Sequence, residues 1–147
     1  MTNNNKITTW INKILDETSK LDSTGIEILH ACGAECSNLS LFLEGAKKIR
    51  DEYSENTELD LLFEAFKIQY YNEPTFTKLG HKITLIFKEC TCPLAKNGVK
   101  NPFLCHCTVG YTKKIFQTLF RKPVNVVLHE SILMGDDHCR QEITIDD

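Results

Sequence analysis

Two pairs of cysteines are the part of this sequence best suited to chemistry. Cys90 and Cys92 form one Cys-x-Cys pair, and Cys105 and Cys107 form a second pair on either side of His106. Tetrahedral zinc takes four thiolates or a mixture of thiolate and imidazole, so these four cysteines could hold one zinc ion. A four-cysteine iron–sulfur cluster would have a similar pattern. The alternative is that some of the four are small side chains buried in a core.

Composition and charge narrow the class of protein. The chain has 147 residues, 41% of them hydrophobic, and a formal net charge of −3, which is typical of one globular domain over residues 1–147. Because the chain has no excess of lysine and arginine, no nucleic-acid partner is expected. Because no apolar run is long enough to span a bilayer and the N-terminus lacks a secretory apolar region, we expect no membrane association and a cytoplasmic location.

The remaining cysteines bear on the same question. The chain has seven in total, and an odd count in a reducing compartment indicates metal binding or thiol chemistry rather than disulfides. Cys32 and Cys36 are spaced to lie on one face of a helix, where they could join a metal site or form a redox pair. Alternatively, they are two small residues of a buried stripe. Gly33 between them could mark a kink or the close approach of another element.

The first half of the chain has the apolar spacing of helices. Apolar residues recur at helical intervals in segments that begin near Ile7, Asp22, Asn38 and Thr57. Pro74 follows the last of these segments and cannot continue a helix. The sequence therefore predicts a helical N-terminal half.

The second half changes to the alternation of strands. Strands are predicted over 76–79, 82–89, 124–133 and 138–145, with a helix over 110–121 between the second and third. This order predicts an α+β fold, in which N-terminal helices pack on a C-terminal antiparallel sheet of about four strands with one inserted helix.

The last predicted hairpin adds a carboxylate to the candidate site. Alternation along 124–133 places Glu130 on the same inward face as Leu128. A turn near Gly135 would set Glu130 opposite Gln141, with Cys139 diagonal to it and within reach of one bound ion. The alternative is a glutamate that reaches water at the strand end or pairs with an arginine or lysine.

Several residues of the C-terminal part resemble the 4-vinyl reductase domain. The resemblance covers residues 103–145 and includes a cysteine followed by Gly-Tyr, a short helix, a strand with a glutamate, and Gly-x-x-x-Cys in the last hairpin. The residues that carry it are Cys107, Gly110, Tyr111, Lys122, Pro123, Val124, Glu130, Gly135, Asp136, Cys139 and Arg140.

This resemblance implies a zinc site and a small-ligand sensor. In ligand-sensing members of that family, cysteines and the glutamate of the pattern hold zinc, which implies Cys107, Glu130 and Cys139 as ligands here. The family's further cysteine is replaced by Leu133 in this chain. Either Cys105 or one of the Cys90 and Cys92 pair would then complete the set, or the metal is absent.

The same C-terminal layout is also similar to L-2-amino-thiazoline-4-carboxylate hydrolase-like proteins, a looser group that Cys92-Pro93-Leu94 and the later cysteine pair would fit. We therefore expect a zinc-binding, small-ligand-binding or sensor-type domain, for which a homodimer is left open. The alternatives are a hydrolase that uses metal-bound water with Glu130 as base, or a cysteine thiolate, and an iron–sulfur protein. The candidate metal ligands are Cys90, Cys92, Cys105, Cys107, Glu130 and Cys139.

Overall fold

The first half of the protein is helical, as its apolar spacing predicts. The computed structural model describes residues 3–147. Ser40 caps the third helix, because its side-chain oxygen accepts a hydrogen bond from the backbone N–H of Phe42. The helices of this half are α1 (Asn3–Ser19), α2 (Asp22–Ser37), α3 (Leu41–Glu52) and α4 (Leu59–Tyr70).

The second half forms one antiparallel sheet with a helix inserted between its hairpins. The strand order is β1-β2-β4-β3, and every neighbouring pair is antiparallel. The predicted α+β fold is therefore confirmed. The elements are β1 (Phe76–Leu79), β2 (Lys82–Phe87), the short α5 (Pro93–Lys96), α6 (Cys105–Phe120), β3 (Val124–Glu130) and β4 (Cys139–Ile145).

The largest differences from the predicted boundaries are at the start of α6 and the end of β3. Helix α6 begins at Cys105 rather than near residue 110, because a 3-10 turn over Pro102–Leu104 leads directly into it. The side chain of Asn101 caps that turn by accepting a hydrogen bond from the N–H of Phe103. Strand β3 ends at Glu130 rather than at residue 133, and Ile132–Met134 forms a second 3-10 turn.

The apolar side chains form a main core and a smaller core. The main core lies between the sheet and helices α3, α4 and α6, and includes Phe66, Phe116 and Ile143. The smaller core joins α1, α2 and the segment before α6. Its buried members are Leu15, Leu29, Val99 and Leu104. None of the helices within residues 3–147 is long and apolar enough to cross a membrane.

Helices α2 and α6 cross in direct backbone contact. A Cβ atom on Gly33 would lie 1.8 Å from the carbonyl oxygen of Cys107, and a Cβ on Gly110 would lie 2.1 Å from that of His30. Two backbones can approach this closely only where both helices lack a side chain. The close approach expected at Gly33 is therefore present, and it fixes the position of the first turns of α6.

We predict that Gly33→Ala and Gly110→Ala each lower the free energy of unfolding by about 1–3 kcal/mol, because the added methyl group overlaps backbone atoms that cannot move aside. This loss outweighs the gain of about 1 kcal/mol that alanine usually brings to a helix. Urea denaturation followed by circular dichroism measures the change.

Gly45→Ala is the matched control on α3. There the Cβ would meet the ring of Tyr70 at 2.7 Å, and that half-buried side chain can turn away. We expect a smaller loss of stability than at Gly33 or Gly110. If Gly33→Ala stabilised the protein like an ordinary helical substitution, the backbone contact would be contradicted.

Candidate functional site

A cavity of about 300 Å³ lies between the main core and the smaller core. The inner face of the sheet, helix α6 and the segment that follows β2 form its walls. Its lining is mostly apolar, which is the usual character of a pocket for a small organic molecule. Aromatic rings make up much of the wall on the main-core side: Phe42, Phe66, Tyr71, Phe76, Phe87 and Phe116.

Cysteines form much of the remaining wall. They come from α2, the segment after β2, the first turn of α6 and the start of β4, so the fold brings together thiols that are far apart in sequence. All five of the cysteines predicted as metal ligands line the cavity, and Cys36 joins them. The set is Cys36, Cys90, Cys92, Cys105, Cys107 and Cys139.

The thiol of Cys105 faces the sheet side of the cavity. Its side chain is 9% exposed, and its sulfur lies 3.0 Å from the hydroxyl oxygen of Ser131. Burial raises the pKa of this thiol above its usual value; the Ser131 contact acts in the opposite direction, and the nearby thiols of Cys139, Cys90 and Cys92 add to the increase. Cys105 is therefore a protonated thiol surrounded by other thiols.

The thiol of Cys107 has different neighbours. Burial raises its pKa to about 12, and the neighbouring thiols of Cys92, Cys36 and Cys32 contribute. Residues two apart on a helix do not face the same direction, so Cys105 and Cys107 diverge. The Cys-x-Cys spacing predicted two sulfurs directed at one ion, which an extended segment allows and a helix does not.

The divergence bears on the predicted metal site. Within residues 3–147, no group of three or more histidine, cysteine, aspartate or glutamate side chains is placed to hold a metal ion. The thiols thus share a cavity without converging on one point. Zinc or iron–sulfur binding stays a prediction from the sequence.

Glu130 lies outside the cavity. A β-bulge between Leu128 and Glu130 shifts the register, so Glu130 pairs with Arg140, and the predicted pairing of Glu130 with Gln141 is wrong. The Glu130 carboxylate contacts the ring of His138, and its Oε1 lies 3.7 Å from Nε of Arg140. The structure therefore shows the alternative to an inward-facing Glu130, in which this strand-end glutamate pairs with a basic side chain.

His106 does not line the cavity either. Its ring packs edge-on against Phe103, with the ring centroids 4.8 Å apart, and lies 6.2 Å from the ring of His30. Burial lowers the pKa of His106, so its imidazole is neutral at physiological pH. A neutral, packed ring outside the cavity has a structural role in this fold.

Gln141 is the functional candidate that the sequence analysis missed. Its place on β4 is directly opposite Leu85 on one side and Leu128 on the other, so it lies at the centre of the inner face of the sheet. The residue is 1% exposed and lines the cavity. Neither Oε1 nor Nε2 has a hydrogen-bond partner among the described residues.

An unpartnered amide in this position is costly. A buried polar atom without a hydrogen bond typically costs about 1–3 kcal/mol, so an apolar side chain would suit the unliganded fold better than Gln141 does. The sequence contained a signal for it, because Gln141 alternates with Cys139, Ile143 and Ile145 on one strand face. A glutamine among inward-facing apolar residues is a buried polar group that needs a partner.

Hydrogen bonds connect the outer side of the cavity wall to α1. The hydroxyl of Thr8 donates to the carbonyl of Asn97 at 3.1 Å, and the N–H of Lys100 donates to Oδ1 of Asn12 at 3.3 Å. Asn101 and Asp16 form a third link through their side chains. The segment between β2 and α6 is therefore fastened to α1 at its far end, while residues near Cys90 line the cavity.

Two solved structures have a similar fold. One is the phenol-responsive sensory domain of the transcription activator PoxR with phenol, with a TM-score of 0.56 and 14% identity over 94% of this chain and 74% of that one. The other is a trafficking protein particle complex subunit 3 from Naegleria fowleri covalently bound to palmitic acid, with a TM-score of 0.54 and 14% identity over 99% and 96%. At such low identity, the likeness shows the fold alone.

Sequence comparison identifies the family. No curated protein sequence matches the chain. The resemblance to 4-vinyl reductase domains and to the hydrolase-like proteins remains a hypothesis, because the family model that matches is a different one. That model covers residues 2–147, so the chain belongs to the family of unknown function DUF6144.

Proposed function

We propose that this protein binds a small, mainly apolar molecule in the cavity between its two cores, as a ligand-binding or sensor-type domain. The observation that carries the proposal is the unpartnered amide of Gln141 inside a mostly apolar cavity. A ligand that supplied the missing hydrogen bonds would remove an energetic penalty of the free protein.

The size of the cavity supports the same function. Its volume of about 300 Å³ is at the lower end of the range for small-molecule pockets, which is ~300–1,000 Å³. An engineered apolar cavity of ~150 Å³ already binds benzene, so a one-ring molecule with short substituents fits here. The two solved structures of similar fold hold phenol and palmitic acid, which are both small molecules with an apolar body and one polar group.

We predict that neutral one-ring molecules such as p-cresol or p-xylene bind in this cavity. The backbone amide signals of cavity residues such as Leu85 and Leu128 should shift on titration, as measured by two-dimensional NMR. At a ligand concentration of 100 times the dissociation constant, the free energy of unfolding should rise by about 2.7 kcal/mol, which a thermal melt would detect as a higher Tm.

Thr112→Phe and Thr118→Phe provide a matched pair of controls on α6. Thr112 is buried and lines the cavity, whereas Thr118 does not line it and bonds its hydroxyl to the carbonyl of Lys114. A ring at residue 112 should block binding, and a ring at residue 118 should leave it unchanged. If neither p-cresol nor p-xylene shifted any cavity signal in the wild-type protein, the proposed function would be wrong.

A metal held at the cysteine-lined side of the cavity is the second candidate. It is favoured by one observation, namely that thiols from two other segments lie near Cys105: Cys90 and Cys92 from the segment after β2, and Cys139 from β4. Binding zinc or an iron–sulfur cluster would require these thiols to lose their protons and to move together. A movement of the segment around Cys90 would be needed, since no three of the described side chains are now placed for a metal.

Elemental analysis of protein purified without oxygen tests this second candidate. A bound metal should be present at about one equivalent, and Cys139→Ser should release it if β4 contributes a ligand. Cys32→Ser is the matched control, because Cys32 is exposed and does not line the cavity. Less than about half an equivalent of any metal would argue strongly against a resident metal.

The hydrolase alternative has less support from the geometry. Glu130 does not line the cavity, so it is not placed to act as a base on a molecule bound there. The raised pKa of Cys107, about 12, keeps its thiol protonated and therefore a weak nucleophile. Ligand binding needs neither group to be ionised.

A further inference from the structure

We propose that Gln141 makes the cavity selective for neutral molecules that carry a hydroxyl group on a compact apolar body, such as phenols and small aromatic alcohols. This inference rests on the ligand-binding function proposed above and adds the chemical class of the ligand. It depends on which polar groups face the cavity and on which of them already have partners.

The hydrogen-bonding capacity of the Gln141 side chain defines what it can recognise. Its Nε2 donates and its Oε1 accepts, and both lack a partner among the described residues. A hydroxyl group is the smallest group that both donates and accepts. One ligand hydroxyl can therefore donate its proton to Oε1 or accept a hydrogen bond from Nε2. It can also do both at once, because its proton and its oxygen lone pairs are separate.

Two hydroxyl groups of the cavity wall already have partners within the protein. The hydroxyl of Tyr111 donates to Oγ of Ser40 at 2.5 Å, and the hydroxyl of Ser131 lies 3.0 Å from the sulfur of Cys105. Their hydrogen-bonding capacity is at least partly used within the protein. Among the described residues of the wall, Gln141 is the one whose side-chain polar atoms are completely buried without a hydrogen-bond partner. It lies at the centre of the sheet between Leu85 and Leu128.

The charge of the lining excludes an anionic partner. No lysine, arginine or histidine belongs to the wall, and Glu89, an exposed residue, is its one charged member among the described residues. A carboxylate at Gln141 would be buried without a cation, which is strongly unfavourable. The thiols of Cys105 and Cys107 are protonated at neutral pH, so they add no charge that would attract a cation.

A matched series of three probes tests the inference at neutral pH: p-cresol, p-xylene and 4-methylbenzoate. They share a methylbenzene body and differ in one group, which is a hydroxyl, a methyl or a carboxylate. Isothermal titration calorimetry on the full chain should give a dissociation constant for p-cresol about tenfold or more below that for p-xylene. 4-Methylbenzoate should bind more weakly than p-cresol by at least the same factor.

Gln141→Leu should remove this selectivity. The variant should bind p-xylene at least as tightly as p-cresol, because the amide that bonds the ligand hydroxyl is then absent. In the absence of ligand its Tm should be higher than that of the wild type, because the unpartnered amide is gone. Gln141→Met is made in parallel, so that a folding failure of one variant does not remove the test.

Gln69→Leu is the control for the chemical change itself. Gln69 is exposed on α4 and lies outside the cavity, so this variant should keep the preference for p-cresol. The outcomes separate the two proposals. If none of the three probes binds the wild-type protein, the ligand-binding function fails.

If p-xylene or 4-methylbenzoate binds the wild-type protein as tightly as p-cresol does, ligand binding stands and the selectivity is overturned. The same conclusion follows if the Gln141 variants bind but keep the wild-type preference. Loss of the preference in those variants, with its retention in Gln69→Leu, supports the role of Gln141.

Discussion

The backbone contact between α2 and α6 is the constraint on which the cavity depends. Because Gly33 meets the carbonyl of Cys107 and Gly110 meets that of His30, α6 can neither rotate nor slide against α2 without a clash. The direction of each side chain in the first turns of α6 is therefore set. Cys105 faces Ser131 and the sheet, whereas Cys107 faces the smaller core. The two thiols line different parts of one cavity because of this fixed rotation.

The cavity itself follows from how α6 is shared between the two cores. Its later turns, with Ile115 and Phe116, belong to the main core, and its first turn joins the smaller core through Cys107. The smaller core receives residues from α1, α2 and the segment before α6, and hydrogen bonds attach that segment to α1. The sheet closes one side of the space between the main core and the smaller core. Gln141 lies on that side, at a place in the sheet where an apolar residue would be expected.

Local patterns predicted most of the fold, because helical and strand periodicity reflect which face of an element is buried. The range Phe76–Leu79 and the start of β3 at Val124 agree with the prediction. The start of α6 was missed because cysteine, histidine and threonine have weak helix propensity, and the capped turn before them supplies the start instead. The place of Glu130 was missed because one bulge reverses the face of every later residue, and alternation alone does not reveal a bulge. Gln141 was within reach of the same alternation, because the predicted pairing placed it directly opposite the inward-facing Glu130, but the prediction included only the carboxylate as a candidate.

Burial away from water explains both the raised pKa of the Cys105 and Cys107 thiols and the energetic cost of the unpartnered Gln141 amide. It also decides between the two proposed uses of the cavity, which are binding a small molecule and binding a metal. Similar apolar surroundings raise the pKa of Cys107 to about 12 and leave Gln141 without a hydrogen-bond partner among the described residues. A neutral ligand needs no change in the charge of the Cys105 and Cys107 thiols. A metal ion must displace several thiol protons, and a thiol with a raised pKa gives up its proton at a greater cost. Burial therefore favours a neutral ligand over a metal for as long as the thiols keep their present surroundings.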